Sequence, residues 1–326
     1  MRRLSIGVLI IFGGNAFGEG SISLDRTGVP FQIGSSTEIV WAVPTNQEPR
    51  ALWVYKNIPQ AFSDEAISNL LVLSSFTVAE KKRLPSEILA MDKNALHFRT
   101  KDEKRYLTIL PSHGWIEYGD STTDDMTKPI EDVPTDAEAQ QLALDLLDRI
   151  EIPRSELATR PNSSEPLTFR EIGRRGHFDK EKKKSVEEIR CRGVFFIRQV
   201  DHVNFAGIGV AGGFYVNFAS HGKVAELRLV WRNMQPYEQY AIANPDQIIE
   251  WIKEGKTTMP APNVNSVEIK KLTITQVAPL YMGALGDEPQ DFTCPFAQLE
   301  TVADLGNTNV TVQLYCPILS TNVVGP

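Results

Sequence analysis

A glycine-rich stretch is the first part of this chain whose residue types and spacing could do chemistry. Gly207, Gly209 and Gly212 match the G-x-G-x-x-G pattern of dinucleotide-binding loops. That pattern holds a pyrophosphate only where the glycines open a helix whose N-terminus meets the anion. Here Phe214 to Phe218 alternates between apolar and polar residues, which is typical of a strand. We therefore predict that the glycines form a bend between strands and that no cofactor is bound.

Two further groups could support acid–base or nucleophilic chemistry. Asp201 could orient His202 as a general base, but the sequence has no G-x-S-x-G and no S-x-x-K in a plausible setting to supply a nucleophile. Cys191 lies between Arg190 and Arg192, and alternation along a strand points those arginines to the opposite face. No C-x-x-C or H-E-x-x-H spacing occurs. The sequence therefore predicts neither catalytic residues nor a metal site.

Aromatic residues and an arginine at a strand exit form the predicted partner-binding site. Trp231 and Arg232 are followed by Tyr237 and Tyr240, and such residues are enriched where proteins recognise partners. The alternative is structural: Trp231 would end a core face, and Tyr237 would pack against the next helix. The sequence leaves both interpretations open.

Three cysteines allow three pairings if the chain reaches an oxidising compartment. We predict a disulfide between Cys294 and Cys316, because each lies beside a proline at the edge of a predicted strand. A loop of that size would contribute about 3 kcal/mol to stability. Cys191 is then left as a free thiol.

The N-terminus has the organisation of a signal peptide over residues 1–18. Two arginines precede the short apolar run Leu4–Phe12, and Ala16-Phe17-Gly18 is a small-x-small cleavage site. The apolar run is shorter than the roughly 20 residues that span a bilayer, although a retained anchor is the alternative. We expect a secreted or periplasmic protein without stable membrane insertion after cleavage.

Charge argues against a nucleic-acid partner. The net charge is -7, and removing the two arginines of the signal peptide brings it to -9. The basic run Lys180–Lys184 is flanked by Asp179, Glu187 and Glu188, so it is predicted to be a solvated loop. An acidic chain lacks the positive footprint that phosphates require.

The elements that must position these residues follow from periodicity and capping. Helices are predicted to begin after Ser63, Thr135 and Asn244, and a hairpin is predicted to join Phe214–Phe218 to Ala225–Trp231. Runs of strands around single helices predict an α+β fold of antiparallel sheets, each packed by one or two helices in repeated strand-loop-helix modules. The polar connector Gly119–Pro134 predicts domains over residues 19–130 and 131–326.

Residues 193–285 resemble exported regulatory proteins of the PepSY and YycH/YycI kind. The resemblance lies in GIGVAGGFYVNFASHGKVAELRLVWR, then NPDQIIEWIKEG and ITQVAPLYMGAL. It implies small modules of antiparallel strands and a helix, and a non-catalytic role toward a partner protein, with no active site to carry over.

Together these observations predict an exported, non-catalytic binding or regulatory protein acting on a protein or peptide partner. Exposed sheet edges would suit such a role, since they accept added strands. The alternative is an exported hydrolase whose acidic residues converge in a cleft, as in glycoside hydrolysis.

Overall fold

A computed structural model of the protein describes most of the chain. The described residues are 31–33, 36–44, 51–59, 62–76, 92–124, 131–179, 183–206, 212–257, 267–283, 290–306 and 308–323. The predicted signal peptide lies outside them. The chain divides into two compact units. Among the described residues, unit 1 holds those within 57–234 and 283–291, and unit 2 holds those within 31–56, 235–282 and 292–323.

Strands dominate both units. In chain order the described strands are β1 (Phe31–Gln32), β2 (Glu38–Trp41), β3 (Ala51–Ile58), β4 (Leu96–Arg99), β5 (Arg105–Leu110), β6 (Trp115–Asp120), β7 (Thr168–Asp179), β8 (Lys184–Ile197), β9 (Gln199–Val200), β10 (Val203–Ala206), β11 (Gly213–Phe218), β12 (Val224–Val230), β13 (Asn233–Ile242), β14 (Val267–Glu268), β15 (Lys271–Met282), β16 (Phe292–Thr293), β17 (Pro295–Asp304), β18 (Asn309–Pro317) and β19 (Leu319–Val323). The described α-helices are α1 (Asp64–Ser74), α2 (Asp136–Arg149) and α3 (Pro245–Lys253).

Unit 1 is built on one seven-stranded sheet in the order β4-β5-β6-β12-β11-β8-β7. Every neighbouring pair in it is antiparallel. The pairing of β6 with β12 joins two strand runs that are far apart in sequence, with Glu117 opposite Arg228. The sheet is therefore continuous across the connector at which the sequence predicted a domain boundary.

One face of this sheet carries the core of unit 1. Residues such as Leu107, Ile116, Phe196 and Leu227 are fully buried and share one cluster with residues of α1 and α2. Both helices cover this inner face because their apolar stripes need burial, and so do the alternating apolar residues of the strands. The residues between them along each strand point to the opposite, outer face.

The helix starts are as predicted, because capping is a local interaction. The Ser63 hydroxyl accepts a hydrogen bond from the backbone N–H of Ala66 at 3.0 Å. Thr135 and Glu138 form a reciprocal capping box at the start of α2. The Asn244 side chain caps α3 through the N–H of Gln247 at 2.9 Å. The three predictions are confirmed.

The predicted hairpin is also confirmed, with Phe214 opposite Leu229 and Val216 opposite Leu227. Its connection contains His221 at φ 56° and Gly222 at φ 68°, both in the left-handed region. β11 begins directly after Gly212, so the glycine pattern leads into a strand as predicted. Gly207 and Gly209 lie outside the described residues.

In unit 2, the long strand β15 pairs with β17 antiparallel and with β2 parallel, and β17 pairs with β18. The buried residues of this sheet include Leu272 on β15, Leu299 on β17 and Leu314 on β18. α3 lies against β18 and buries Ile248 and Ile252. A second sheet has the order β16-β3-β13-β19.

One prediction about architecture needs correction. The α+β fold of strand-loop-helix modules is wrong: the described chain is mainly antiparallel sheet, with few helices. The sequence signals for each helix were right, but the strands between helices join into large sheets rather than separate modules. The compact units also differ from the predicted domains, since residues 57–234 belong to one unit and each unit is assembled from separate segments.

Candidate functional site

The outer face of the unit 1 sheet carries a polar and aromatic array that we call the tyrosine–glutamate face. It lies on the central strands, opposite the face that α1 and α2 cover. Its members are Tyr106, Glu117, Glu171, Tyr215, Asn217, Glu226 and Arg228.

Tyr106 is held across the sheet surface by a glycine and a glutamate. It is the cross-strand partner of Gly119, and a Cβ on that glycine would lie 2.5 Å from Tyr106 Cε1. The ring therefore occupies the space where a side chain would stand. Its hydroxyl donates to Glu117 Oε1 at 3.2 Å. Burial, followed by the nearby Glu117 carboxylate, raises the pKa of Tyr106 to about 12.

Tyr215 repeats this arrangement on β11, three strands away from β5. A Cβ on Gly193 would lie 3.2 Å from Cε2 and from the hydroxyl oxygen of Tyr215. The hydroxyl donates to Glu171 Oε2 at 3.0 Å, and Glu171 is the cross-strand partner of Gly193. Burial raises the pKa of Tyr215, with smaller contributions from Glu171 and Glu226. Both hydroxyls therefore remain protonated at neutral pH.

Between the tyrosines lies an ion pair with unused hydrogen-bonding capacity. Arg228 Nη2 is 2.6 Å from Glu226 Oε1, and both side chains are only partly exposed. Arg228 is opposite Tyr215 and Glu117, while Glu226 is opposite Asn217. Arg228 Nε and Asn217 Oδ1 are buried and have no hydrogen-bond partner among the described residues. A buried donor and a buried acceptor left unpaired are where a ligand or water is expected to bind.

The composition of the face sets the chemistry of what it could hold. Three carboxylates (Glu117, Glu171 and Glu226) accompany one guanidinium, that of Arg228. Tyrosine rings attract cations through their negative π faces, and carboxylates accept charge-assisted hydrogen bonds from them. The arrangement suits a cationic or donor-rich ligand better than an anion.

Two of the predicted partner-binding residues, Trp231 and Arg232, are buried in unit 1, at 2% and 6% exposure. The Trp231 indole N–H donates to Glu156 Oε2 at 3.1 Å, and the Arg198 guanidinium lies 5.0 Å from the Trp231 ring centroid. Arg198 also pairs with Glu156 at 2.6 Å and donates to the backbone carbonyl of Arg232. This is the structural alternative that the sequence left open for Trp231.

Tyr237 and Tyr240, the other two predicted residues, belong to unit 2. Tyr237 is half exposed and lies 5.1 Å from Phe292, which is also exposed. The Tyr240 hydroxyl donates to Glu238, and this hydrogen bond raises the pKa of Tyr240. The exposed pair of Tyr237 and Phe292 forms a small aromatic surface on this unit.

The predicted Cys294–Cys316 disulfide is not formed, because all three cysteines are free thiols. Cys316 is fully buried in β18 opposite Ala297, while Cys294 precedes β17 and lies outside that pairing. Burial raises the pKa of Cys316 to about 12 and also raises the pKa of Cys294.

Asp201 and His202 form an exposed turn with both residues at positive φ. Within the described ranges, no cluster of His, Cys, Asp and Glu could hold a metal ion. Over the same ranges, no helix is long and apolar enough to cross a membrane.

The tyrosine–glutamate face was absent from the sequence predictions. The signal available for Tyr106 was local, since Tyr106, Glu117 and Gly119 lie on two consecutive predicted strands. Tyr215 and Glu171 meet only through the register of β7, β8 and β11, which no single segment encodes.

Comparisons with known proteins add no functional information. No family model and no curated protein matches the chain. Among solved structures, the chain is similar to an uncharacterized protein from Eubacterium rectale, with 9% identity and a TM-score of 0.43. The similarity covers 89% of this chain and 90% of that one.

Proposed function

We propose that this protein is a non-catalytic binding protein that holds a basic segment of a protein or peptide partner on its tyrosine–glutamate face. The observation that carries the proposal is the pairing of each tyrosine hydroxyl with a glutamate, Tyr106 with Glu117 and Tyr215 with Glu171. Glycines beneath the rings, Gly119 under Tyr106 and Gly193 under Tyr215, let them lie along the sheet.

The favoured ligand group is a lysine or arginine side chain. A cation over a tyrosine ring contributes about 0.5–2 kcal/mol, depending on how far it is desolvated. Hydrogen bonds to a charged group contribute about 1.5–3 kcal/mol. Arg228 Nε and Asn217 Oδ1 could bind the backbone carbonyl and N–H of the same partner segment, which would fix its direction across the strands.

Binding is favoured over catalysis by the state of the tyrosines. The raised pKa values of both tyrosines disfavour the phenolate form that a nucleophile requires, and both hydroxyls act as hydrogen-bond donors to Glu117 and Glu171. The exported hydrolase remains the alternative because three carboxylates share this face. Turnover of glycosides by purified protein, abolished by Glu117→Gln or Glu171→Gln, would establish that alternative instead.

An extracytoplasmic location is part of the proposal and rests on the sequence of residues 1–18. A binding role toward a partner protein is also what the resemblance to PepSY and YycH/YycI proteins implies. N-terminal sequencing of the protein from its native source tests the location, with a mature chain beginning at Glu19 as the expected result. A chain that keeps the apolar run would contradict it.

The binding test is calorimetric titration with a short lysine-rich peptide, with the reversed-charge glutamate-rich peptide as the negative probe. The wild type is expected to bind the basic peptide, and the triple variant Glu117→Gln, Glu171→Gln, Glu226→Gln to bind at least about tenfold more weakly. The substitutions keep hydrogen-bond acceptors in place while removing charge.

A control variant changes net charge equally at exposed positions away from the face: Glu65→Gln, Glu165→Gln and Glu250→Gln. It is expected to bind as the wild type does. If both triple variants lose affinity equally, attraction to the overall negative charge explains the binding and the site is wrong. If neither loses affinity, the peptide binds elsewhere, and the surface of Tyr237 and Phe292 becomes the candidate.

A further inference from the structure

The hairpin of β7 and β8 continues past the sheet that it belongs to. The two strands pair from Thr168–Phe196 to Asp179–Lys184, but β11 pairs with β8 only over residues 192–197. A bulge between Gly173 and Arg174 marks where the continuation begins. We call residues 174–190 the arm. Within the described part of the chain, no third strand pairs with it.

The arm has exposed side chains and open edges. No arm residue with a placed side chain is buried as a whole, and Ile189 is 38% exposed, although Nε and Nη1 of Arg190 are buried. A two-stranded ribbon is marginally stable in water, and its unpaired edges invite association. The arm is thus an element whose ordered form gains stability from a second surface.

The net charge of the arm indicates that its partner surface is acidic. The arm contains seven Lys and Arg and four Asp and Glu, a net charge of +3, so the rest of the chain carries -10. Arg174 pairs with Glu187 at 3.1 Å. We call the sequence segment 179–184 the tip; its four lysines (Lys180, Lys182, Lys183 and Lys184) outweigh Asp179 and Glu181 and carry +2 of the +3. Lys180 and Lys182 lie outside the described residues, and only their formal charge is counted.

We propose that the arm of one copy docks on the tyrosine–glutamate face of a second copy, so that the chain is its own basic partner. This inference rests on the proposed function and names the segment that the face binds. Two arms would repel each other, whereas an arm and the acidic face attract. Each copy carries one arm and one face, so a two-fold exchange satisfies both contacts and closes as a dimer.

Phosphate-bearing partners fit the arm less well. Its tip carries lysines, which act as point charges, and lacks the arginines that hold phosphate in a bidentate geometry. Acidic residues Asp179 and Glu181 are interspersed with those lysines. A carboxylate surface with aromatic rings is therefore the better complement.

The test is sedimentation velocity of the full chain over a range of concentrations, at low ionic strength and in about 1 M salt, where the Debye length falls to about 3 Å. The wild type is expected to sediment as a concentration-dependent dimer at low salt and as a monomer at high salt. The arm variant, with glutamine replacing the four lysines of the tip, is expected to be monomeric in both. A control with glutamine at Lys101, Lys104, Lys253 and Lys256 is expected to dimerise as the wild type does.

Mixing two monomeric variants identifies the contact. The triple Glu→Gln face variant keeps its arm, and the arm variant keeps its face, so one of the two contacts can form between them. Their mixture is expected to contain a heterodimer at least about tenfold weaker than the wild-type dimer, while each variant alone stays monomeric. A wild type that stays monomeric at every concentration, or a face variant that dimerises normally, overturns the proposal.

Failure of this inference can be told apart from failure of the proposed function. A docked arm would compete with added peptide, so the lysine-rich peptide is also titrated into the arm variant. Peptide binding without dimerisation of the wild type keeps the function and rejects self-association. If the protein neither binds the peptide nor dimerises, the proposed function and the self-association are both rejected. Binding of the wild type, but not of the arm variant, to phosphatidylserine vesicles without dimerisation would assign the arm to a membrane surface and overturn the proposal.

Discussion

Replacing Gly119 with alanine should disturb the proposed site while leaving the core intact. The added Cβ would lie 2.5 Å from Cε1 and 2.9 Å from Cζ of Tyr106. Both atoms belong to a ring that can move, so the ring is expected to tilt away and the hydroxyl to leave Glu117. The inner face is unaffected, because Gly119 points away from α1 and α2.

The effect on stability should be small because two contributions oppose each other. Alanine in a strand is favoured over glycine by about 0.5–1 kcal/mol. Loss of the Tyr106 hydrogen bond to a carboxylate costs about 1.5–3 kcal/mol, nearer the lower figure on a partly exposed face. The net destabilisation is therefore expected to be about 0.5–2 kcal/mol, measured by urea denaturation with an unchanged m-value.

Peptide binding should change more clearly than stability. A tilted ring loses the cation–π contribution of about 0.5–2 kcal/mol, which is about a 2- to 30-fold weaker affinity for the lysine-rich peptide. Gly176→Ala is the matched control, since nothing lies within 4 Å of its added Cβ. Because Gly176 lies in the arm, both glycine variants are compared in the arm-variant background, where the arm does not compete with the peptide. Unchanged affinity in Gly119→Ala, with a crystal structure showing Tyr106 displaced, would refute the role of the ring.

Further predictions concern the core, the tyrosines and the thiols. Glu156→Ala should lower the unfolding free energy, measured in denaturant, by about 3–5 kcal/mol, because it removes the carboxylate that pairs with the buried Arg198 guanidinium. Glu165→Ala, which breaks the exposed pair with Arg160, should lower it by less than about 1 kcal/mol. The pKa of Tyr106, raised from 10.0 to about 12, stabilises the protonated folded state, so its contribution is complete below pH 10 and is lost as pH rises from 10 to 12. Tyr106→Phe should therefore lessen the alkaline fall in unfolding free energy, and an identical fall in the variant would contradict that pKa. Thiol titration of unfolded, unreduced protein should find three free thiols, whereas a disulfide would leave one.

Local features of the fold could be predicted from the sequence because their causes are local. The cap residues Ser63, Thr135 and Asn244 are within a few residues of the N–H groups that they satisfy. The hairpin around His221 is set by its turn and by alternation along two adjacent strands. Each of these depends on neighbours in the chain, so pattern and structure agree.

Long-range register could not be predicted, and the correction to the fold class follows from it. The sequence between Gly119 and Pro134 is polar, which is typical of a linker, yet β6 before it pairs with β12 far beyond it. No residue of either strand specifies that partner by itself. The modules predicted from strand-helix order therefore merge into one sheet.

The candidate site also combines contacts that are local in sequence with contacts that depend on long-range strand register. Tyr106 and Glu117 lie on adjacent strands of a hairpin, and their contact is accessible to sequence reasoning once the register is known. Tyr215 reaches Glu171 only across β8, over the gap that Gly193 provides. For Trp231 the sequence left a partner-binding surface and a core position open, and contacts with Arg198 and Glu156 in the structure favour the core position.

Photo-crosslinking tests the central claim most directly. A lysine-rich peptide bearing a benzophenone group is bound to the arm variant, irradiated, and the adducts are located by mass spectrometry of the digested protein. Binding on the tyrosine–glutamate face predicts adducts on β5, β6, β11 and β12, and their suppression when the three Glu→Gln substitutions of the face are added. Adducts concentrated around Tyr237 and Phe292, unchanged by those substitutions, would contradict it.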